Sequence, residues 1–390
     1  MMPPALTRIG AVIQQKRRML ARFCMAAGLA IAMAASPAAA GSRDPDSSVA
    51  AVRLFQEALS QIEAYALHPA EPMAMVETAL RQYLKTADPY AEYLTADEFA
   101  AFRSPPTDAR FSGISMGLGR EASGRVFCIP DPGGAAEQAG IAYGDILVNV
   151  DGAPVAGLSA YQAGLRIRGR AGTPTVLTLQ GKDGMERTIR LLRRQHPLKS
   201  VFTMDAGPFA IIRIPRFIQS TPRELKQALL AGPDDANARI IDLTGNMGGD
   251  LDAAMASAAL FLPEGSPILT VKSRDGLQRH VCDGSPSDLE SRLFLWQDAR
   301  TASAAEVFIA ALVLNGRAVS IGERSFGKGV AQRVLEMHDR SALILTYAAL
   351  YPPSGRSFHG SGLSPLVPLA ARGRDAYVHA THRQLAQSGD

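Results

Sequence analysis

Between about residues 196 and 370 the chain alternates short apolar runs with helical segments, and that alternation limits the fold more than any other feature. "PFAIIRI" and "ARIIDL" are too apolar to face water and read as buried strands. "TPRELKQALLA" reads as a helix with Thr221 as its cap and Pro222 just inside. "DLDAAMASAALFL" reads as another, opened by "GNMGGD", and "GRAVSIG" and "SALILTYAAL" as further strands. Strands and helices in this order predict an α/β core. Upstream the pattern changes. From Arg110 to about Gln195, "RVFCIP", "DILVNV", "TVLTLQ" and "TIRLL" are short strands separated by Gly and Asp-Gly turns, with two short helices around "AAEQAG" and "SAYQAGLRI". Residues 47–103 read as helical, with Val52, Phe55, Leu59 and Ile62 at helical spacing. Pro105-Pro106 cannot continue a helix and marks a boundary near 108. The expected organisation is multidomain and of mixed α/β (α+β) class: 1–40 a leader, 41–108 a helical segment, 109–195 a β domain, 196–372 the α/β core and 373–390 a tail.

The first forty residues have the grammar of an export signal. "KRRMLAR" is a charged n-region, "FCMAAGLAIAMAA" an apolar stretch too short to span a bilayer comfortably, and "ASPAAA" supplies small residues for cleavage after Ala40. A buried N-terminal helix and an uncleaved anchor are the competing readings. The segment also explains a misleading basicity. It holds five of the 41 Lys and Arg residues and no acid, which leaves 36 bases against 37 Asp and Glu in the remainder. No basic field is left for nucleic acid. Export implies an oxidising compartment: periplasmic, or membrane-associated on the outer side of the inner membrane, if the source is Gram-negative. Cys24 would leave with the leader, and Cys128 and Cys282 either pair or stay as two buried thiols. No Cys/His cluster has metal-ligand spacing, so neither metal nor cofactor is expected.

Two stretches carry the chemistry. In "TASAAEVFIAAL", Ser303 and Glu306 form the S-x-x-E of a capping box at the start of an amphipathic helix that stops at Asn315-Gly316. Ser303 is therefore either a cap or a nucleophile. "GERSFGKGVAQ" nearly matches a P-loop through Gly322, Gly327 and Lys328, but Gly329 stands where magnesium binding needs a hydroxyl. The alternative uses Lys328 as a base. A lysine titrates near about 10.4. Lowering that to roughly 7–8 takes about 3–4.5 kcal/mol of desolvation, for which Phe326, Val330 and the flanking glycines make a plausible setting. Otherwise Lys328 is a solvated surface charge.

"FSGISMGLG…PGGAAEQAGIAYGDILVNVDGAPVAGLS" resembles a PDZ domain of the kind found in tail-specific proteases. There the loop before the second strand receives a C-terminal carboxylate and the edge strand pairs with the peptide. The resemblance implies a peptide site at Gly113, Ile114, Ser115 and Met116. A glycine at 113 would let backbone approach a ligand, and amides in a turn form an anion nest. "TASAAE", "GERSFGKGVAQ" and "NMGG" together resemble the C-terminal processing peptidases, tail-specific Ser-Lys proteases. In that family the lysine follows the serine by 25 positions and a glutamine stands four beyond it, as Ser303, Lys328 and Gln332 do here. The resemblance implies a crotonase/ClpP-like protease core, Ser303 as nucleophile, Lys328 as base and Gln332 as its orienting partner. It implies an oxyanion hole from the N–H groups of Gly249 and Ser303. Along a strand 328 and 332 would stand about 13 Å apart, so their side chains must lean together. The substrates implied are protein or peptide C-termini, with a homodimer through the N-terminal helices and an adaptor protein as further partners. Arg168 resembles a position at the junction between the two domains.

The chain departs from the family pattern in places. Thr244 stands where arginine is usual, Met247 where proline is frequent, Ala305 replaces a second serine and Leu366 an aspartate. None of these removes a proposed catalytic group, although Thr244 and Leu366 bear on how the oxyanion loop and the lysine strand are braced. A Ser-His-Asp enzyme is the nearest chemical rival, but no G-x-S-x-G elbow is present and His359 has no evident partner in sequence. The reading of a different class is a catalytically weak PDZ scaffold that binds exported C-termini.

Overall fold

A computed structural model describes residues 31–32, 45–69, 71–103, 112–121, 123–195, 199–206, 209–231, 238–284, 286–369 and 373–387. The expected export signal lies outside them apart from strand β1 (Ile31–Ala32), which pairs in parallel with Gln332 and Arg333. No helix among the described residues is long and apolar enough to cross a membrane.

The N-terminal segment opens with helices α1 (Pro45–Tyr65) and α2 (Pro72–Ala87). The stripe read from sequence is present on α1, where Val52, Phe55 and Ile62 are exposed and Leu59 is half-buried. The segment is not purely helical. Strand β2 (Glu92–Leu94) follows, then α3 (Ala96–Arg103). Tyr93 and Leu94 are too apolar to stay in solvent, and β2 joins an edge of the core sheet with Ala342 opposite Leu94.

The second unit is a five-strand path of antiparallel pairs: β3 (Met116–Arg120), β4 (Val126–Pro130), β5 (Ile146–Val150), β7 (Pro174–Gln180) and β8 (Glu186–Leu192), with the short β6 (Ala153–Pro154) beside β5. Helices α4 (Ala135–Gln138) and α5 (Ala160–Ile167) close it. Its core gathers Ile114, Cys128, Leu147, Leu177 and Leu179. β3 is an edge strand, and Phe102 of α3 packs edge-on against Tyr161 of α5 at 5.0 Å.

The core is two sheets with helices between them. One runs β18 (Val367–Pro368), β15 (Ala318–Gly322), β14 (Arg292–Gln297), β11 (Ala238–Asp242), β10 (Phe209–Arg213) and β9 (Phe202–Ala206), parallel throughout except at β9–β10. The other holds β16 (Val330–Glu336), β17 (Ala342–Tyr351), β12 (Pro267–Ser273) and β13 (Gly276–Val281). Helices α6 (Thr221–Ala231), α7 (Leu251–Ala259) and α8 (Ala304–Leu314) contribute to the apolar layer that joins them. The expectation of an amphipathic α8 is corrected here. Every residue from Ala304 to Leu312 is buried, because α8 packs in the core against both sheets and has no solvent face. The expected tail is also mostly helix: α9 (Arg374–Ala386) covers the outer face of the parallel sheet, with Tyr377 on Trp296. Cys128 and Cys282 are both free and buried, one in the β domain and one in the core, so they do not pair.

Candidate active site

Ser303 stands between β14 and α8 in a backbone conformation that few serines adopt, φ 57° and ψ −123°. The Ala305 N–H donates to the Ala302 carbonyl at 3.1 Å, closing a turn with Ser303 at the position where type II′ geometry favours glycine. A non-glycine residue held there costs on the order of 1–3 kcal/mol, sustained only by its surroundings. Those surroundings are tight. Thr301 Oγ1 donates to the Leu243 carbonyl at 3.0 Å, and Ala302 N–H to the Asn246 carbonyl at 2.9 Å. A Cβ on Gly248 would lie 2.8 Å from Ser303 Cβ, so only glycine admits this approach.

The capping box is half made. The Ser303 N–H donates to Glu306 Oε2 at 2.8 Å. The Glu306 N–H goes to the Ser303 carbonyl at 2.8 Å, and the Ser303 hydroxyl, fully buried, has no partner among the described residues. The hydroxyl is thus not spent on capping. The N–H is spent, which corrects the expectation that it stands open for an oxyanion: the Glu306 carboxylate occupies it.

Glu306 also organises the lysine loop. Its carboxylate accepts from Ser325 Oγ at 2.5 Å, Gly327 N–H at 2.7 Å and Lys328 N–H at 2.8 Å. The backbone nitrogens of Ser303 and Lys328 therefore meet at one carboxylate oxygen. Burial raises the Glu306 pKa, and the Ser325 hydroxyl and the three amides pull against that rise.

Lys328 Nζ donates to Gln332 Oε1 at 2.7 Å, and Gln332 Nε2 donates to the Tyr90 carbonyl. Two features shorten the separation a straight strand would impose. Lys328 precedes β16, and β17 carries an extra residue, Tyr347, opposite the step from Ala331 to Gln332. Lys328 Nζ lies 4.9 Å from the Tyr90 ring centroid, and Asp88 holds this segment by accepting from Tyr90 N–H at 2.9 Å and Thr346 N–H at 3.0 Å. Desolvation draws the Lys328 pKa down to about 8, against the opposing pull of Glu92, Asp88 and Glu306. Burial pushes Glu92 up to about 7, and one of its carboxyl oxygens has no partner among the described residues. The amine is bonded to Gln332 and not to the Ser303 hydroxyl.

The loop from Thr244 to Asp250 lies beside the serine. The Gly245 N–H donates to Asp298, the Asn246 N–H to Leu243, the Gly248 N–H to the Asn246 side chain and the Asp250 N–H to Phe217. Successive amides of an extended segment point to opposite edges. With Asp250 N–H facing Phe217, the Gly249 N–H faces away from it, at φ 132°, a conformation open to glycine. Among the described residues no group of three or more His, Cys, Asp or Glu could hold a metal.

In the β domain the open edge of β3 lies alongside α5. Ile114 is buried, Ser115 has φ 57°, and Met116 begins β3 opposite Pro130. Gly113 departs from expectation: its N–H donates to the Arg194 carbonyl at 3.2 Å and is not open to a carboxylate. The same strand abuts the core. Any Cβ on Gly119 would overlap the Met247 sulfur. Arg216 pairs with Asp131, Tyr143 OH donates to Asp298 at 3.1 Å, and Arg300 lies 4.3 Å from the Phe127 ring centroid. Arg168 Nη1 donates to the Ala101 carbonyl at 3.4 Å.

Sequence reasoning overlooked Tyr90, Asp88 and Glu92 and saw Glu306 only as a capping residue. The one signal available was "DPYAEYL", an Asp-Pro turn followed by an apolar pair.

Residues 128–181 match the family model of the PDZ domain and residues 208–369 that of peptidase family S41. The fold thus joins a PDZ domain to a core of the S41 type. A probable CtpA-like serine protease of Staphylococcus haemolyticus (strain JCSC1435) is 30% identical over 287 residues, covering 73% of this chain and 58% of that protein. The equivalent from Staphylococcus aureus (strain N315) is 31% identical, with 72% and 57% covered. The photosystem II D1 C-terminal processing protease superposes with a TM-score of 0.67 at 25% identity, covering 81% of this chain and 92% of that one. The chain is thus similar to the C-terminal processing peptidases over its PDZ and S41 regions. It spans a little over half the length of the curated relatives it matches.

Proposed function

We propose that the protein is an exported serine endopeptidase that takes C-terminal tails of other proteins on its PDZ domain and cleaves them with Ser303, Lys328 and Gln332. One observation carries the reading: Ser303, whose buried hydroxyl is unpartnered in a strained turn, and Lys328, whose amine pKa is drawn down to about 8, both donate their backbone N–H to one carboxylate oxygen of Glu306. The neutral amine turns from Gln332 to the hydroxyl and takes its proton as Oγ attacks the scissile carbonyl carbon. The Gly249 N–H receives the oxyanion. The lysine gives the proton to the departing amine, then draws one from water to release the acyl group. Tail binding uses the β3 edge and the Ile114–Met116 backbone, by strand addition.

The test is incubation of the purified protein with an unstructured polypeptide ending in an apolar residue. Cleavage that vanishes in Ser303→Ala and in Lys328→Ala supports the reading, and undiminished cleavage in Lys328→Ala overturns the base assignment. Tail binding without cleavage by the wild type would favour a scaffold. Export is supported by the charge and apolar pattern of residues 1–40. Recovery of the protein outside the cytoplasm with Gly41 at its N-terminus checks it, and recovery of the intact chain in the cytoplasm refutes it. The exposed apolar stripe of α1 supports a homodimer. Light scattering that finds only monomer at micromolar concentration removes it. An adaptor would be seen as a co-purifying protein that raises turnover, and full turnover by the isolated protein argues against one.

A further inference from the structure

Thr244 opens the loop that carries Gly248 and Gly249, and it donates to Asp242 Oδ1 from its backbone N–H at 2.9 Å and from its hydroxyl at 2.6 Å. A second group completes the anchorage from outside the loop. Arg213 ends β10 directly opposite Asp242 at the end of β11. Its Nη1 donates to Asp242 Oδ2 at 2.7 Å and to Thr244 Oγ1 at 3.1 Å, and its Nη2 to the Thr244 carbonyl at 3.3 Å. Both side chains of the ion pair are well removed from solvent, at 17% and 8% exposure. The chain beyond Arg213 continues the same support. The Ile214 carbonyl accepts from Asn246 Nδ2 at 2.8 Å, and the Phe217 N–H donates to the Gly248 carbonyl at 2.9 Å. Asn246 in turn accepts from Ala302, the residue before the serine. One contiguous set of hydrogen bonds thus runs from Arg213 through the loop to the nucleophile turn.

The geometry points to Arg213 as a positioning residue that sets the 244–249 loop against Ser303, supplying from a neighbouring strand the guanidinium that Thr244 does not carry within the loop. This rests on the reading of that loop as the oxyanion loop. A planar guanidinium bridges a carboxylate, a hydroxyl and a carbonyl at once, which a lysine ammonium at 213 would not reproduce. Arg213 touches no reacting atom and acts through Thr244 and Asp242.

The test compares wild type, Arg213→Met, Arg213→Lys and Arg213→Met with Thr244→Arg, each by kcat, KM, melting temperature and hydrogen exchange of the 243–250 segment. In Arg213→Met, kcat should fall roughly ten- to a hundredfold with KM within threefold. Exchange should quicken in 243–250 while segments distant from it keep their protection. Arg213→Lys should recover less than half of the loss, and adding Thr244→Arg should restore kcat at least tenfold and slow the exchange. Arg213→Met with unchanged loop exchange overturns the assignment, as does a loss of activity that merely follows the unfolded fraction. The exchange readout needs no turnover. A wild type that cleaves nothing defeats the peptidase reading, whereas a cleaving wild type with an unaffected Arg213→Met defeats only this one.

Discussion

Ser303 and Lys328 sit 25 positions apart and share one carboxylate, yet they are held in different ways. The serine is fixed by its own neighbourhood: a turn closed between Ala302 and Ala305, and a buried helix that starts one residue later. The lysine side chain is held from afar. Tyr90 lies beneath its amine from the N-terminal segment, and Gln332 is steered by a carbonyl 242 positions away in sequence. The serine's placement should therefore persist as long as the core is folded. The lysine's pocket can be lost while the fold survives.

The most severe way to break the contrast is Lys328→Arg. Arginine stays protonated and cannot serve as a base, so kcat/KM should drop about 10³-fold or more with the circular dichroism spectrum unchanged. Residual activity above a few per cent of wild type would count against the mechanism. Glu306→Gln strikes both sides together, since a carboxamide cannot accept from all four donors without turning its own NH₂ on one of them. It should cost about 3 kcal/mol by denaturant unfolding. A loss under about 1 kcal/mol would show that the shared carboxylate binds the halves only weakly.

A smaller effect is written in pH. The amine must be neutral to accept a proton, so activity should rise with pH through a midpoint of about 8, with the rate at pH 7 roughly a tenth of its plateau. A flat profile from pH 6.5 to 9 would remove Lys328 from the rate equation. Least in size, Tyr90→Ala should admit water beneath the amine. Lost desolvation raises the lysine pKa, while the lost ring face lowers it by a lesser amount. The midpoint should move up by about half a unit to one unit, and a downward shift would reverse that ranking.

Sequence made the locally encoded half legible. The 25-position spacing, the glutamine four beyond the lysine and the S-x-x-E pattern are short-range features, and the strands and helices of the core follow from apolar runs. What it hid depends on contacts between distant segments. Nothing near Tyr90 announces that its carbonyl will meet Gln332. Nothing near Gly113 announces that Arg194, at the far end of the same domain, will take its N–H. Local pattern also misjudged α8, which reads as amphipathic with Glu306 at its start as a cap. Glu306 is instead fully buried, and the four donors around it come from two separate stretches of chain, its own helix start and the lysine loop.

The left-handed backbone at Ser303 sets catalysis against durability. On the proposed mechanism, exchange of this serine for glycine would abolish turnover and, by freeing the turn from its steric penalty, should leave a protein harder to melt than the wild type. The natural chain accepts a weaker turn there and keeps a hydroxyl at that point.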